Sequence, residues 1–194
     1  MSSIQIAFMR HAPTSWNKRK VYQGRNDISI LDESRETLLN QSIPNRFADF
    51  DFYTSPLRRT QETLISLGQK DFKTIEALME CDFGDWEGLS YYEVVENYPH
   101  RETGYDGLHY KHHNGESYHE VQERVMAWVR TLKKNSFSVA HKGLMTAIYA
   151  LSTNWDVLSE PEHDIDFKKI QLFEWDQREL RLVETNIELS SKNN

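Results

Sequence analysis

The sequence predicts an α/β fold, a three-layer sandwich whose mostly parallel central sheet carries helices on both faces. Three observations predict it. Apolar runs of strand length recur along the 194 residues, and segments with helical apolar spacing alternate with them. Two of those runs stop abruptly at a histidine, as a buried strand does where it empties into a loop.

Residues 4–9 form the first apolar run and give way to Arg10-His11, so they read as a buried strand. Residues 50–54 read as a second strand. Ser55 suits the cap of the helix that follows and Pro56 its first turn, with Leu57, Leu64 and Ile65 on one face and an end near Gly68. Residues 72–78 give a third short strand, and 90–98 a short helix holding Tyr92, Val94 and Val95. A longer helix starts at Ser117, which has capping-box spacing to Glu120; Val121, Val125, Trp128, Val129 and Leu132 form its apolar stripe. Residues 137–140 make the next strand, ending at His141, and 143–151 another helix. Residues 165–175 and 179–184 flank Asp176-Gln177-Arg178 and read as a closing hairpin. Residues 190–194 are polar and expected to fray. No repeat or linker-like stretch divides the chain, so residues 1–194 are read as one domain.

Charge narrows the functional classes. A formal net charge of -7 leaves no basic footprint for nucleic acid, whose backbone is bound by clustered Lys and Arg. No window approaches the ~18 apolar residues of a membrane span, and Met1-Ser2-Ser3 opens no signal peptide; a cytoplasmic location is the expectation. The single cysteine, Cys81, excludes an intrachain disulfide. Flanked by acids that would raise its pKa, it reads as packing and not as a nucleophile.

In a parallel sheet the carboxyl ends of the strands are where loops and helix N-termini converge on a ligand. Two strand ends deliver Arg10-His11 and His141, and a third leads into the helix that carries Arg59. Two histidines and two arginines delivered in this way point to an anion-binding, titratable site.

The wording around these residues resembles the histidine phosphatase superfamily, which includes cofactor-dependent phosphoglycerate mutase. Met9-Arg10-His11-Ala12-Pro13-Thr14-Ser15-Trp16-Asn17 is similar to its Arg-His-Gly opening, with Ala12 where glycine is usual. Tyr22-Gln23-Gly24-Arg25-Asn26-Asp27 resembles the loop over the substrate, and Thr54-Ser55-Pro56-Leu57-Arg58-Arg59-Thr60 the element whose last arginine grips phosphate. Leu78-Met79-Glu80-Cys81-Asp82-Phe83-Gly84-Asp85-Trp86-Glu87-Gly88-Leu89 is similar to the segment with the catalytic glutamate. Gly115-Glu116-Ser117 with Arg124 matches a family helix start, and Val139-Ala140-His141-Lys142-Gly143 the second histidine motif, with Lys142 where a small residue is common. The FGDWEG wording and the His113-Asn114-Gly115-Glu116-Ser117 segment look most like the α-ribazole phosphatase and broad-specificity phosphatase subgroups.

The resemblance implies a small-molecule phosphomonoester as substrate and a phosphohistidine on His11. Arg10 and Arg59 would hold the phosphoryl oxygens, and a protonated His141 would stabilise charge on them. Glu80 would give the leaving oxygen a proton, which asks for a carboxyl that can still carry one; Asp82, Asp85 and Glu87 are its neighbours, and Asp85 and Glu87 are expected in a solvated loop or as a helix cap. Asn17 would add a donor, and Gln23 with Gly24 would shape the substrate side. No metal and no cofactor are expected, because arginines fill the electrostatic role. His100, His109, His112, His113 and His119 lack ligand spacing and read as a solvated lid, and Lys142 reads as solvated. A mutase would need a second substrate hydroxyl as acceptor. Only about sixty residues separate Glu80 from His141, too few for the insertion of the glycolytic mutases, so water is the expected acceptor. A phosphoryl-binding protein without turnover is the remaining alternative.

Overall fold

The computed structural model describes residues 3–98 and 107–192. In chain order its elements are β1 (Ile4–Arg10), α1 (Ser15–Lys18), α2 (Asp32–Leu39), β2 (Gln41–Ser42), β3 (Asp51–Thr54), α3 (Arg58–Ser66), β4 (Lys73–Thr74), α4 (Tyr91–Asn97), α5 (Tyr118–Val129), β5 (Ser136–Ala140), α6 (Lys142–Thr153), β6 (Ile170–Trp175), β7 (Leu180–Ile187) and β8 (Ser190–Ser191). The six-stranded sheet has the order β4-β3-β5-β1-β6-β7. Its first four strands are parallel, and β6 runs against both β1 and β7.

Strand β1 explains the three layers. Alternate side chains leave a strand on opposite faces. Ile6 and Phe8 join the core built with α5 and α6, whereas Ala7 and Met9 join the core that contains Leu38 of α2 and Leu64 of α3. Both faces are therefore covered, which is why residues 6–9 read as a continuous apolar run and not as an alternation. Parallel pairing sets Arg10 opposite Ala140, and the His11 N–H donates to the Ala140 carbonyl at 2.9 Å. The residues just beyond these two strand ends, His11 and His141, thus emerge side by side.

Several sequence expectations are met in detail. Ser117 caps α5 with a complete capping box, and the 175–180 turn closes the β6–β7 hairpin; Ser90, for which no capping role was expected, closes a second box on α4. Others need correction. Helix α3 starts at Arg58 with Leu57 at its cap position; Ser55 Oγ accepts from the Leu57 N–H instead of capping the helix. Ile65 is exposed, because the buried face of α3 is the polar one bearing Arg59, Thr63 and Ser66. The strand expected at 72–78 is only Lys73–Thr74, since β3 ends at Thr54 and offers nothing further to pair with before the 3-10 turn Glu76–Leu78. Residues 165–169 are not strand: Asp166 Oδ1 accepts from the Lys168 N–H and fixes a turn that releases β6 only at Ile170. Ser190–Ser191 pair with Gln41–Ser42 instead of fraying. Among the described residues no helix is long and apolar enough to cross a membrane.

Candidate active site

Beyond the ends of β1 and β5 lies a cavity of about 280 Å³ lined by Arg10, His11, Asn17, Gln23, Gly24, Arg59, Glu80 and Lys142, with Val21, Tyr22, Phe83, Tyr118 and Gly143. Seven of the eight residues expected at the site, all but His141, form its wall. His141 stands behind the wall, fully buried, with its ring 5.3 Å from that of His11. A larger cavity of about 860 Å³ touches Arg10, His11 and Asn17 from the α2 side, but it lacks Arg59, Glu80 and His141 and so holds less of the chemistry.

His11 is oriented by its own backbone. Its Nδ1 lies 2.8 Å from the Ala12 carbonyl, which can only accept, so Nδ1 carries the proton and the Nε2 lone pair is left for reaction. Burial first, then the Arg59 and Arg10 guanidiniums, hold its pKa well below the usual 6.5, and the ring is neutral at neutral pH. Ala12 does not adopt a positive φ, so the alanine that replaces the usual glycine is unstrained; its N–H donates to Thr63 Oγ1.

His141 is held the other way round. Arg59 Nε–H donates to its Nδ1 at 3.3 Å, which puts the imidazole proton on Nε2. That buried Nε2 has no partner among the described residues. Burial and the nearby Arg59 also push its pKa well below the usual value, so the protonated imidazole expected from the sequence is corrected to a neutral one that still presents an N–H.

Arg59, fully buried on α3, donates from Nη1 to the Asn26 carbonyl and from Nη2 to the Gly24 carbonyl, at 2.6 and 2.7 Å. Desolvation lowers its pKa to about 10, far enough above neutrality for it to stay charged. Arg10 makes no ion pair or hydrogen bond through its side chain among the described residues, leaving its donors for a ligand. Asn17 closes the capping box of α1: its Oδ1 accepts from the Thr14 N–H, which turns the amide nitrogen outward. Gln23 Oε1 likewise accepts from Thr14 Oγ1. One threonine thus orients two amide donors.

The Glu80 carboxylate accepts from the backbone N–H groups of Cys81, Gly143 and Leu144, the last two in the first turn of α6. This contact needs a glycine: a Cβ on Gly143 would stand 2.6 Å from Glu80 Oε1. Arg124, ion-paired with Glu116, donates to the Ala77 and Glu80 carbonyls and fixes the segment from behind. Cys81 is buried with its thiol pKa pushed up by desolvation and neighbouring acids, which disqualifies it as a nucleophile.

Glu87 is the site residue that sequence reasoning missed. Instead of lying solvated, its carboxylate accepts from the Arg25 N–H at 2.9 Å, Asn26 Nδ2 at 2.7 Å and the Phe83 N–H at 3.2 Å. It therefore ties down the loop whose carbonyls hold Arg59. Gly24 makes room for it: φ is +48°, and a Cβ there would fall 1.7 Å from Glu87 Oε1. The WEG spacing gave no hint of a partner more than sixty residues away in sequence. Asp85 is exposed as expected and pairs with His113 and Asn114.

The histidine-rich stretch is not a uniform solvated lid. His112 is buried edge-on against Trp86 and Phe83, with Nδ1 at 2.6 Å from the Glu116 carbonyl, and His109 packs on His119. His100 lies outside the described residues. Among the described residues no group of three or more His, Cys, Asp or Glu side chains is placed to share a metal ion. Lys142 is exposed, yet its side chain forms part of the cavity wall.

The buried histidines make stability pH-dependent. In the unfolded chain His11 and His141 titrate near 6.5, and in the folded protein well below it. Between those values the unfolded state binds protons that the folded state does not, so stability climbs with pH and levels off above about 6.5. We expect a slope of up to about 1.4 kcal/mol per pH unit for each histidine. Thermal melts from about pH 5 to about pH 8 read it, and a His141→Asn variant should lose part of it. A midpoint flat below pH 6.5 would mean that both rings accept protons as readily when folded.

The profile of the histidine phosphatase superfamily (branch 1) matches residues 6–188. The chain is 26% identical over 196 residues to phosphoserine phosphatase 1 of Hydrogenobacter thermophilus, covering 95% of this chain and 92% of that protein. It is 26% identical over 176 residues to glucosyl-3-phosphoglycerate phosphatase of Mycolicibacterium vanbaalenii, covering 79% and 78%. Among solved structures, a mycobacterial glucosyl-3-phosphoglycerate phosphatase superposes with a TM-score of 0.74 at 21% identity over 95% of this chain and 100% of the other. An Escherichia coli protein described provisionally as an alpha-ribazole-5'-P phosphatase superposes with a TM-score of 0.76 at 21% identity, over 95% and 97%.

Proposed function

The chain belongs to the histidine phosphatase superfamily, and from that premise we propose that it hydrolyses a small phosphomonoester through a phosphohistidine on His11. The observation that carries the reading is the tautomer of His11. A neutral ring with its proton tied to the Ala12 carbonyl presents Nε2 as a nucleophile in a cavity that also contains Arg10 and Arg59.

Nε2 attacks phosphorus and the P–O bond to the alcohol breaks on the far side. Arg10, the spare donors of Arg59, the Asn17 amide and the His141 Nε2–H take the charge spread over the equatorial oxygens. Glu80 gives the departing oxygen a proton, then removes one from the water that attacks the phosphohistidine, restoring His11 and releasing inorganic phosphate. The arginines supply positive charge where other phosphatases place a metal.

Three further readings attach to the same residues. The physiological substrate is a small phosphorylated metabolite, for which an α-ribazole 5'-phosphate-like compound is one candidate. Water is favoured as acceptor over a second substrate alcohol. A cytoplasmic enzyme with no nucleic-acid partner fits a net charge of -7. The test is hydrolysis of an aryl phosphate in chelator: phosphate release in excess EDTA supports the reading, and release that depends on an added metal refutes it. Interconversion of 3-phosphoglycerate faster than hydrolysis would replace phosphatase by mutase.

A further inference from the structure

Thr63 has no part in the steps above, yet it joins two of the groups that do. Helix α3 buries the hydroxyls of Thr60, Thr63 and Ser66, and each donates to a carbonyl about one turn earlier in the chain. Among the described residues Thr63 alone of the three also receives a backbone N–H from outside the helix. Its Oγ1 accepts from the Ala12 N–H at 2.9 Å while it donates to the Arg59 carbonyl at 2.7 Å. A hydroxyl that only bonds back along its own helix adds nothing to that helix, so the lone pair turned toward Ala12 is what sets Thr63 apart.

Ala12 lies between two peptide planes. The first, leaving His11, carries the N–H held by Thr63, and the second carries the carbonyl that accepts from His11 Nδ1 at 2.8 Å. The second plane is already fixed on its far side. Its nitrogen belongs to Pro13, which has no N–H and biases Ala12 toward extended backbone. The Pro13 carbonyl in turn accepts from the Leu31 N–H at 2.9 Å and from Ser34 Oγ at 3.1 Å. With Thr63 closing the near side, the Ala12 carbonyl has one direction left, and that direction holds the imidazole proton on Nδ1. Arg59 lies one helical turn from Thr63 on the same face of α3, so one short element places both the guanidinium and the peptide that aims the ring.

We infer that Thr63 is a positioning residue: through the Ala12 peptide it holds His11 in the tautomer and rotation that present Nε2, and it sets that atom's distance from the Arg59 guanidinium, a role that rests on the phosphatase reading of the same site. Without this clamp the ring can turn and carry its proton on Nε2, which removes the attacking lone pair. A displacement of about 1 Å at a reacting atom costs about 10²-fold in rate.

Thr63→Val keeps the shape of the side chain and deletes the acceptor, whereas Thr63→Ser keeps the hydroxyl. On an aryl phosphate, Thr63→Val should lower kcat/KM by about tenfold to a hundredfold, while the inhibition constant of inorganic phosphate moves by less than about threefold. Thr63→Ser should recover most of the loss. Thr63→Ala makes the same deletion by a second route if valine does not pack. Nitrogen-15 spectra of the histidine rings, with the His11 signals assigned by their loss in His11→Asn, read the tautomer directly. The proton should sit on Nδ1 in the unmodified protein and in Thr63→Ser, with a share of it moved to Nε2 in Thr63→Val. An unchanged tautomer in the deletion variants, or a loss of phosphate affinity as large as the loss of kcat/KM, would overturn the inference and reduce Thr63 to a support of α3. Failure of the unmodified protein to hydrolyse the aryl phosphate would remove the phosphatase reading, and the spectra would still decide whether Thr63 sets the tautomer.

Discussion

His11→Asn is expected to lower hydrolysis by about four to six orders of magnitude, the usual cost of deleting an enzyme's nucleophile. Asparagine is a sharper choice than alanine. Its amide nitrogen can take the position of Nδ1 and keep the bond to the Ala12 carbonyl, so the loop stays put while the atom proposed to attack is gone. No neighbour can substitute. Cys81 is buried with a raised thiol pKa, and His141 has Nδ1 occupied by Arg59 and its proton on Nε2. The variant should still bind inorganic phosphate, because Arg10, Arg59 and Asn17 are untouched. Acid-stable, base-labile radiolabel is the wrong signature for a phosphohistidine, so a pulse with labelled ester should give a base-stable, acid-labile adduct in the unmodified protein and none in the variant. Activity within tenfold of the parent would remove His11 from its role and with it the proposed mechanism.

The same residues show what a sequence can disclose. Strand β1 was legible because both of its faces are buried, which leaves an unbroken apolar run over residues 6–9, and its abrupt end at Arg10-His11 marked a site. The β5 segment into His141 is also buried on both faces, but Ser136 and Ser138 alternate with Phe137 and Val139, so its signal was the shorter run that ends at Ala140. Helix α2 was not: of its eight residues only Ser34 and Leu38 are buried, so no apolar stripe announces it. The polar buried face of α3 misled in the opposite direction, since it turns toward the site, where Arg59 and Thr63 are wanted, while Ile65 is left outside. Family wording supplied Arg59 and Glu80 but not what holds them. The Glu87 tie to residues 25 and 26, the hold of Arg124 on Glu80 and the burial of His112 under Trp86 all join segments distant in sequence, and no local pattern encodes such pairings.

Glu80→Gln is expected to give the second-largest loss, and its size should depend on the leaving group. An aryl phosphate departs as a stabilised phenolate and needs little proton donation, whereas an alkyl phosphate departs as an alkoxide and needs a great deal. Alkyl esters should therefore lose about 10²- to 10⁴-fold and activated aryl esters much less in the phosphorylation step. The second step, attack of water on the phosphohistidine, is common to both and should slow equally, which pre-steady-state bursts on an aryl ester would expose. Glutamine also carries a structural cost that must be separated from this. Glu80 accepts three N–H groups, and the glutamine amide nitrogen would have to face the donor of Gly143, or of Cys81 and Leu144. That like-to-like contact leaves a buried donor unsatisfied at about 1–3 kcal/mol and should appear as a lower Tm. Packing damage alone would depress both ester classes in proportion, because the site would be misplaced for either. A loss confined to poor leaving groups, with burst kinetics on good ones, assigns the proton to Glu80; equal losses on both classes without a burst would move the acid role to another group.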